Sequence, residues 1–87
     1  MRLDKFLQVS RLIKRRTLAK AVVEEGRVFL NGRPAKPSTA VTVGDRVLVD
    51  LPRGRLQVEV LLIQEHVPAK MAGSLYRVLE SGAPDGL

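Results

Sequence analysis

Ten lysines and arginines crowd the first 36 residues of the chain: Arg2, Lys5, Arg11, Lys14, Arg15, Arg16, Lys20, Arg27, Arg33 and Lys36. Asp4, Glu24 and Glu25 oppose them, so this segment carries +7 while the other 51 residues sum to −1. Such groups are suited to phosphate. A lysine ammonium neutralises it as a point charge, and an arginine fork holds two of its oxygens at once. Charge gathered on one unit, rather than spread along the chain, is the electrostatic footprint of a nucleic-acid binder. The spacing agrees. Arg11, Lys14 and Arg15 recur three and four apart, Arg2 and Lys5 come just before them, and Arg27, Arg33 and Lys36 follow shortly after. One fold can bring all of these to a single face. Taken alone, Lys14-Arg15-Arg16 also reads as a solvated basic loop that keeps the chain in solution.

Residues for catalysis are poorly represented. His66 is the single histidine, and no second metal ligand is spaced near it, so it reads as an ordinary surface residue. Asp45, Asp50, Glu59, Glu65, Glu80 and Asp85 fall on expected turns, solvent faces and the tail, not as a convergent pair. There is no GxxxxGK[ST] loop and no GxGxxG. A chain of this size has little room for the enclosed pocket of a small-molecule enzyme. We expect a protein that is not an enzyme and carries no cofactor or metal. The absence of cysteine excludes a disulfide framework and is compatible with a reducing cytoplasm. Apolar runs fall far short of the roughly 18 residues a membrane span needs, and the N-terminus lacks a signal peptide's apolar stretch. We therefore expect a cytoplasmic protein with no membrane partner. The aromatics are Phe6, Phe29 and Tyr76. Phe6 and Phe29 occupy apolar periodic positions and are expected in the core, with Tyr76 partly exposed. Readers of single-stranded RNA stack bases on exposed aromatics. This inventory fits phosphate and shape recognition of structured RNA instead.

These cations need elements to hold them. Leu3, Phe6, Leu7 and Ser10 recur at helical spacing with Arg2, Lys5 and Gln8 between them, which predicts a short amphipathic helix over about residues 3 to 10. Asp4 falls in its first turn, where a carboxylate meets the positive end of the helix dipole. Residues 11 to 16 form the connection, anchored by Leu12 and Ile13. Thr17 is the expected N-cap of a second helix. Leu18, Ala21 and Val22 are its expected apolar stripe, and Gly26 its left-handed stop. Beyond Gly26 the period becomes two. Residues 27 to 30 read as a strand, Asn31-Gly32 as a type I′ turn, and residues 33 to 36 as a short returning strand whose Pro34 suits an edge. Pro37-Ser38-Thr39 is a loop and Val43-Gly44-Asp45 a second turn. Residues 46 to 51 and 56 to 60 pair as a hairpin. Ala69, Met71, Leu75, Val78 and Leu79 predict a C-terminal helix, and residues 81 to 87 a frayed tail. The expected fold class is α+β: two N-terminal helices packed on a small twisted, mostly antiparallel sheet, with a short C-terminal helix.

Three segments resemble a known family. Arg-Leu-Asp-Lys-Phe-Leu at 2–7, Arg-Thr-Leu-Ala-Lys at 16–20 and Gly-Arg-Val-Phe-Leu-Asn-Gly at 26–32 resemble the RNA-binding domain named after small-subunit ribosomal protein S-four, the αL motif. Val43-Gly44-Asp45 and the strand after it fit that domain's closing elements. The resemblance covers about residues 1–60, leaving 61–87 as a C-terminal strand and helix extension and tail of the same domain. It implies that the helical face docks on structured RNA. Most such domains are appended to enzymes, but the unbroken run over residues 1–20 is similar to free-standing bacterial members of the family. That similarity implies a role in ribosome-associated quality control. Such proteins bind large-subunit rRNA and peptidyl-tRNA on obstructed large ribosomal subunits, and support C-terminal alanine tailing of the stalled chain by the factor RqcH. It further implies that Asp4 and Arg16 are tied to subunit binding, with Arg2 beside them. A monomer is expected. The alternatives are the related stand-alone heat-shock RNA-binding protein, which typically carries a long basic C-terminal extension, an accessory RNA-binding module of an rRNA- or tRNA-acting enzyme, and a structural ribosomal protein.

Overall fold

A computed structural model describes residues 1–52 and 54–81. Two helices, α1 (Leu3–Val9) and α2 (Arg16–Glu24), precede five strands: β1 (Val28–Leu30), β2 (Arg33–Pro34), β3 (Arg46–Leu51), β4 (Gly54–Val60) and β5 (Tyr76–Ser81). A 3-10 helix, Ala69–Leu75, lies between the last two strands. The strands form one antiparallel sheet in the order β2-β1-β3-β4-β5. The architecture is the expected α+β class.

Alternation along the strands decides what the helices cover. Val28, Val47, Val49, Val58 and Val60 are buried in one cluster with Leu3, Phe6 and Leu7 of α1, Ala19, Val22 and Val23 of α2, and Leu12 and Ile13 between the helices. Leu30 packs against the same cluster. With Val28 and Leu30 turned inward, a period of two sends Phe29 to the opposite face. There it is half-buried, in register with Pro34 on one side and Leu48 on the other. Phe6 is the core aromatic; Phe29 is not.

The helices differ from expectation in one register. The Arg15 carbonyl accepts from the Ala19 amide at 2.9 Å, so α2 starts at Arg16 and Thr17 lies in its first turn, not at its cap. Its buried stripe is Ala19, Val22 and Val23, while Leu18 is 54% exposed. The adjacent valines set that face, and Ala19 one turn earlier allows close approach. At the other end Gly26, with φ +79°, closes α2 as expected, its N–H bonded to the Val23 carbonyl at 3.0 Å.

Asn31 and Gly32 have φ of 53° and 83°, as a type I′ turn requires. They join β1 to β2, which is an edge strand shorter than the expected 33–36. A Cβ at Gly32 would meet no atom within 4 Å, so a side chain there is penalised through the backbone alone. Gly32→Val should therefore lower stability by about 1 to 2 kcal/mol. Urea melts check this, and unchanged stability would mean that the turn tolerates a β-branched residue.

The same turn is tied to the sheet through its side chain. Asn31 Nδ2 donates to Asp45 Oδ1 at 3.1 Å, and Asn31 Oδ1 accepts from the Arg46 amide at 2.9 Å. Asp45 Oδ2 accepts from the Thr42 amide at 2.9 Å and its hydroxyl at 3.2 Å. Burial pushes the Asp45 carboxyl up, but the hydrogen bonds from Thr42 and Asn31 together outweigh it and hold the group below its ordinary value. A folded-state pKa below the unfolded one, about 3.9, stabilises the fold above that value, and the gain is lost as pH falls through the folded pKa. The stability difference between the wild type and Asp45→Asn should thus be largest at neutral pH and shrink in acid. A difference that grows in acid would contradict this.

The C-terminal helix is shorter than expected. It ends at Leu75, after burying Ala72 and Leu75, and Tyr76 at φ −148° enters β5. Val78 and Leu79 belong to that strand and stay exposed. Over five residues, helical spacing and the scatter of apolar groups on an edge strand look alike. β5 is held by main-chain pairing to β4, with a register shift at Gln57/Val58. Of the expected tail, Ser81 ends β5, and residues 82–87 lie outside the described residues.

Candidate nucleic-acid interface

The first amides of an α-helix have no partner within the helix. In α1 the loop at 37–41 supplies it. Leu3 N–H donates to the Thr39 carbonyl at 2.9 Å, Asp4 N–H to the Pro37 carbonyl at 3.2 Å, and Val41 N–H to the Met1 carbonyl at 2.8 Å. This clamp fixes the backbone that carries Arg2 and Asp4.

Asp4 is 2% exposed, and a buried carboxylate must be compensated. Arg2 does most of this: its Nε donates to Oδ1 at 3.2 Å and its Nη2 to Oδ2 at 3.3 Å. The Lys5 amide adds a bond to Oδ1 at 2.8 Å. Arg16 Nε lies 3.8 Å from Oδ2, an ion pair longer than a hydrogen bond. The family resemblance ties Asp4 and Arg16 to subunit binding, with Arg2 beside them. The structure gives Arg2 the closer, two-pronged contact and Arg16 the outer one. Both arginine side chains are about half exposed, at 52% and 50%. One buried anion thus holds two guanidiniums at the surface, with N–H groups left over for a ligand.

Lys14, Arg15 and Arg16 are exposed at the start of α2, which has no acid in its first turn and no side-chain cap. Cations at the positive end of a helix dipole destabilise it by some tenths of a kcal/mol. An anionic partner would relieve that repulsion. Arg2, Lys20 and Lys36 line one open groove of about 490 Å³ beside the Asp4 cluster. Lys5 and Arg11 line another, of about 390 Å³, between α1 and residues 65–68. Lys14 and Arg15 border a smaller, mostly apolar groove with Ile13, Leu18 and Leu51. Arg27 is paired with Glu25 at 3.0 Å, and Arg33 is exposed on edge strand β2. Neither lines the two basic grooves. Sequence reasoning passed over Gln8 and took His66 as an ordinary surface residue, yet both line the Lys5–Arg11 groove. The spacing of three from Lys5 to Gln8 to Arg11 was the available signal. Among the described residues no cluster of His, Cys, Asp or Glu could hold a metal, and no helix is long and apolar enough to cross a membrane.

Two helices on a small antiparallel sheet, with a basic helical face, define an S4-type RNA-binding domain. The S4 domain family model matches residues 1–47. An RQC P-site tRNA stabilizing factor of Halalkalibacterium halodurans is 50% identical, over 90% of this chain and 89% of that protein. The factor of the same name from Bacillus subtilis is 45% identical, over 92% of this chain and 93% of its own length. The chain belongs to the S4 domain family and, within it, to the family of the RQC P-site tRNA stabilizing factors. Among solved structures, the trimeric Heat Shock Protein 15 of Vibrio cholerae superposes with a TM-score of 0.83 at 35% identity, covering 90% of this chain and 80% of that one.

Proposed function

We propose that this chain is a non-enzymatic RNA-binding factor of bacterial ribosome-associated quality control. It binds large-subunit rRNA and peptidyl-tRNA on large subunits that still hold a stalled nascent chain. It steadies the P-site tRNA while the alanine-tailing factor RqcH extends that chain. The supporting observation is the Arg2–Asp4–Arg16 cluster, in which a buried carboxylate presets two half-exposed guanidiniums on a strongly basic helical face. Arg forks so held lose little freedom on meeting phosphate. Lys14, Arg15, Lys20 and Lys36 extend the contact along the RNA backbone. The 1–60 segment makes these contacts, 61–87 completes the domain, and the protein acts as a cytoplasmic monomer.

Affinity capture of the tagged protein from cells, with the bound RNAs and proteins identified, tests this reading. Large-subunit rRNA, tRNA and the tailing factor are expected together. A second reading, a heat-shock RNA-binding factor, is favoured by the structural match to Heat Shock Protein 15. It predicts large-subunit rRNA without the tailing factor, in amounts that rise on heat shock. Recovery of neither RNA would overturn both.

A further inference from the structure

We propose that the groove between α1 and residues 65–68 receives one unstacked RNA nucleotide, with its phosphate on Lys5 and Arg11 and its base on Val67 and Pro68. The inference rests on the RNA-binding function proposed above and adds a second subsite, separate from the Arg2–Asp4–Arg16 cluster.

The groove has an open volume of about 390 Å³, within the range of small-ligand sites. Its lining suits each part of a nucleotide. Lys5 and Arg11 supply positive charge, and among the described residues no carboxylate forms an ion pair with either. Val9, Val67 and Pro68 give apolar surface for the face of a base. Gln8, which both donates and accepts, and Glu65, which accepts, can bond a base edge. Single-stranded RNA readers usually stack bases on several aromatics, and here His66 is the one aromatic ring on a lining whose other apolar groups are aliphatic, so a single base fits better than a stacked run.

Arg11 carries the second, independent observation. Its φ is 63°, in the left-handed region, and its N–H bonds the Gln8 carbonyl at 3.1 Å to close α1. The chain closes α2 in the same way with Gly26 at φ +79°. Glycine avoids the clash between Cβ and carbonyl that arginine suffers in this region. The helix end thus explains the backbone conformation but not the arginine. Strain kept at one position points to a side chain that is used, and here that side chain lines the groove.

The test uses the full chain and adenosine monophosphate as the probe. Backbone amide shifts on titration should move at Gln8, Val9 and Val67. Arg11→Gly keeps the left-handed helix end, so its melting temperature should equal or exceed that of the wild type. It should nevertheless lose these shifts and bind large subunits about tenfold more weakly, the size expected for one charge-assisted bond. Arg11→Asn, which also tolerates positive φ, should lose the shifts likewise, and Arg11→Lys should recover part of them. Unaltered shifts in Arg11→Gly overturn the proposal. So does inorganic phosphate alone producing the full set of shifts, since the base would then be idle. A wild-type chain that sediments with subunits but shows no shifts in the groove overturns this subsite and leaves the proposed function standing. Failure to sediment, with the shifts present, overturns that function and leaves the subsite standing.

Discussion

Raising monovalent salt from 50 to 200 mM at fixed magnesium should weaken association with the large ribosomal subunit roughly 250-fold. Each phosphate neutralised by a Lys or Arg releases condensed counterions, so log affinity falls with log salt by about 0.7 to 0.9 per contact. Of the ten N-terminal cations, Arg27 is paired with Glu25, Arg33 stands apart on β2, and Asp4 offsets one of the rest. If about five of those remaining meet phosphate, the slope is near −4, and a fourfold rise in salt gives the stated loss. A filter-binding or sedimentation series reads it directly. Affinity that stays flat across this range would contradict an electrostatic interface.

Arg16→Ala should weaken subunit association by about 1.5 to 3 kcal/mol, tenfold or more, while the melting temperature stays within a few degrees. Arg16 is half exposed at the first position of α2 and is not one of the buried residues, so its loss should cost the fold little. What it offers is a guanidinium whose position is biased by Asp4 at 3.8 Å. Asp4→Asn should act in the same direction but more weakly, because the carboxylate orients and does not itself contact phosphate. If the two residues work as a unit, the double variant loses less than the sum of the single losses. Asp4 also favours α1 through the helix dipole by about 0.3 to 1 kcal/mol, so thermal melts must accompany the binding data. Full retention of Arg16→Ala on the subunit would remove Arg16 from the site.

Local chemistry made some elements legible in the sequence. Asn31-Gly32 and Gly26 announce their turns because positive φ excludes most other residues. β4 alternates cleanly over residues 56–60 because Val58 and Val60 are buried and Gln57 and Glu59 are not. Leu18 and Phe29 misled for one reason: each is apolar and periodic, yet a one-residue shift in register turns it outward. β5 misled because an edge strand held by main-chain bonds needs no apolar alternation. For the site, charge clustering pointed to ten cations, and the family resemblance singled out Asp4 and Arg16 with Arg2 beside them; the fold does bring these three together. The clamp from the 37–41 loop was not legible, since it is made of backbone groups. Nor was the groove that unites α1 with residues 65–68, because its walls are some sixty residues apart in sequence.

The central claim is that the chain recognises the large subunit together with a tRNA in its P site. Purified large subunits, either empty or carrying peptidyl-tRNA, are the material for its most direct test, with affinity measured on both. Linkage makes the effect reciprocal: if P-site tRNA strengthens binding of the protein, the protein must strengthen retention of the tRNA by the same factor. The account predicts tighter binding to the tRNA-bearing subunits and a matching increase in tRNA affinity when the protein is added. Equal affinity for both kinds of subunit, with tRNA retention unchanged, would contradict it.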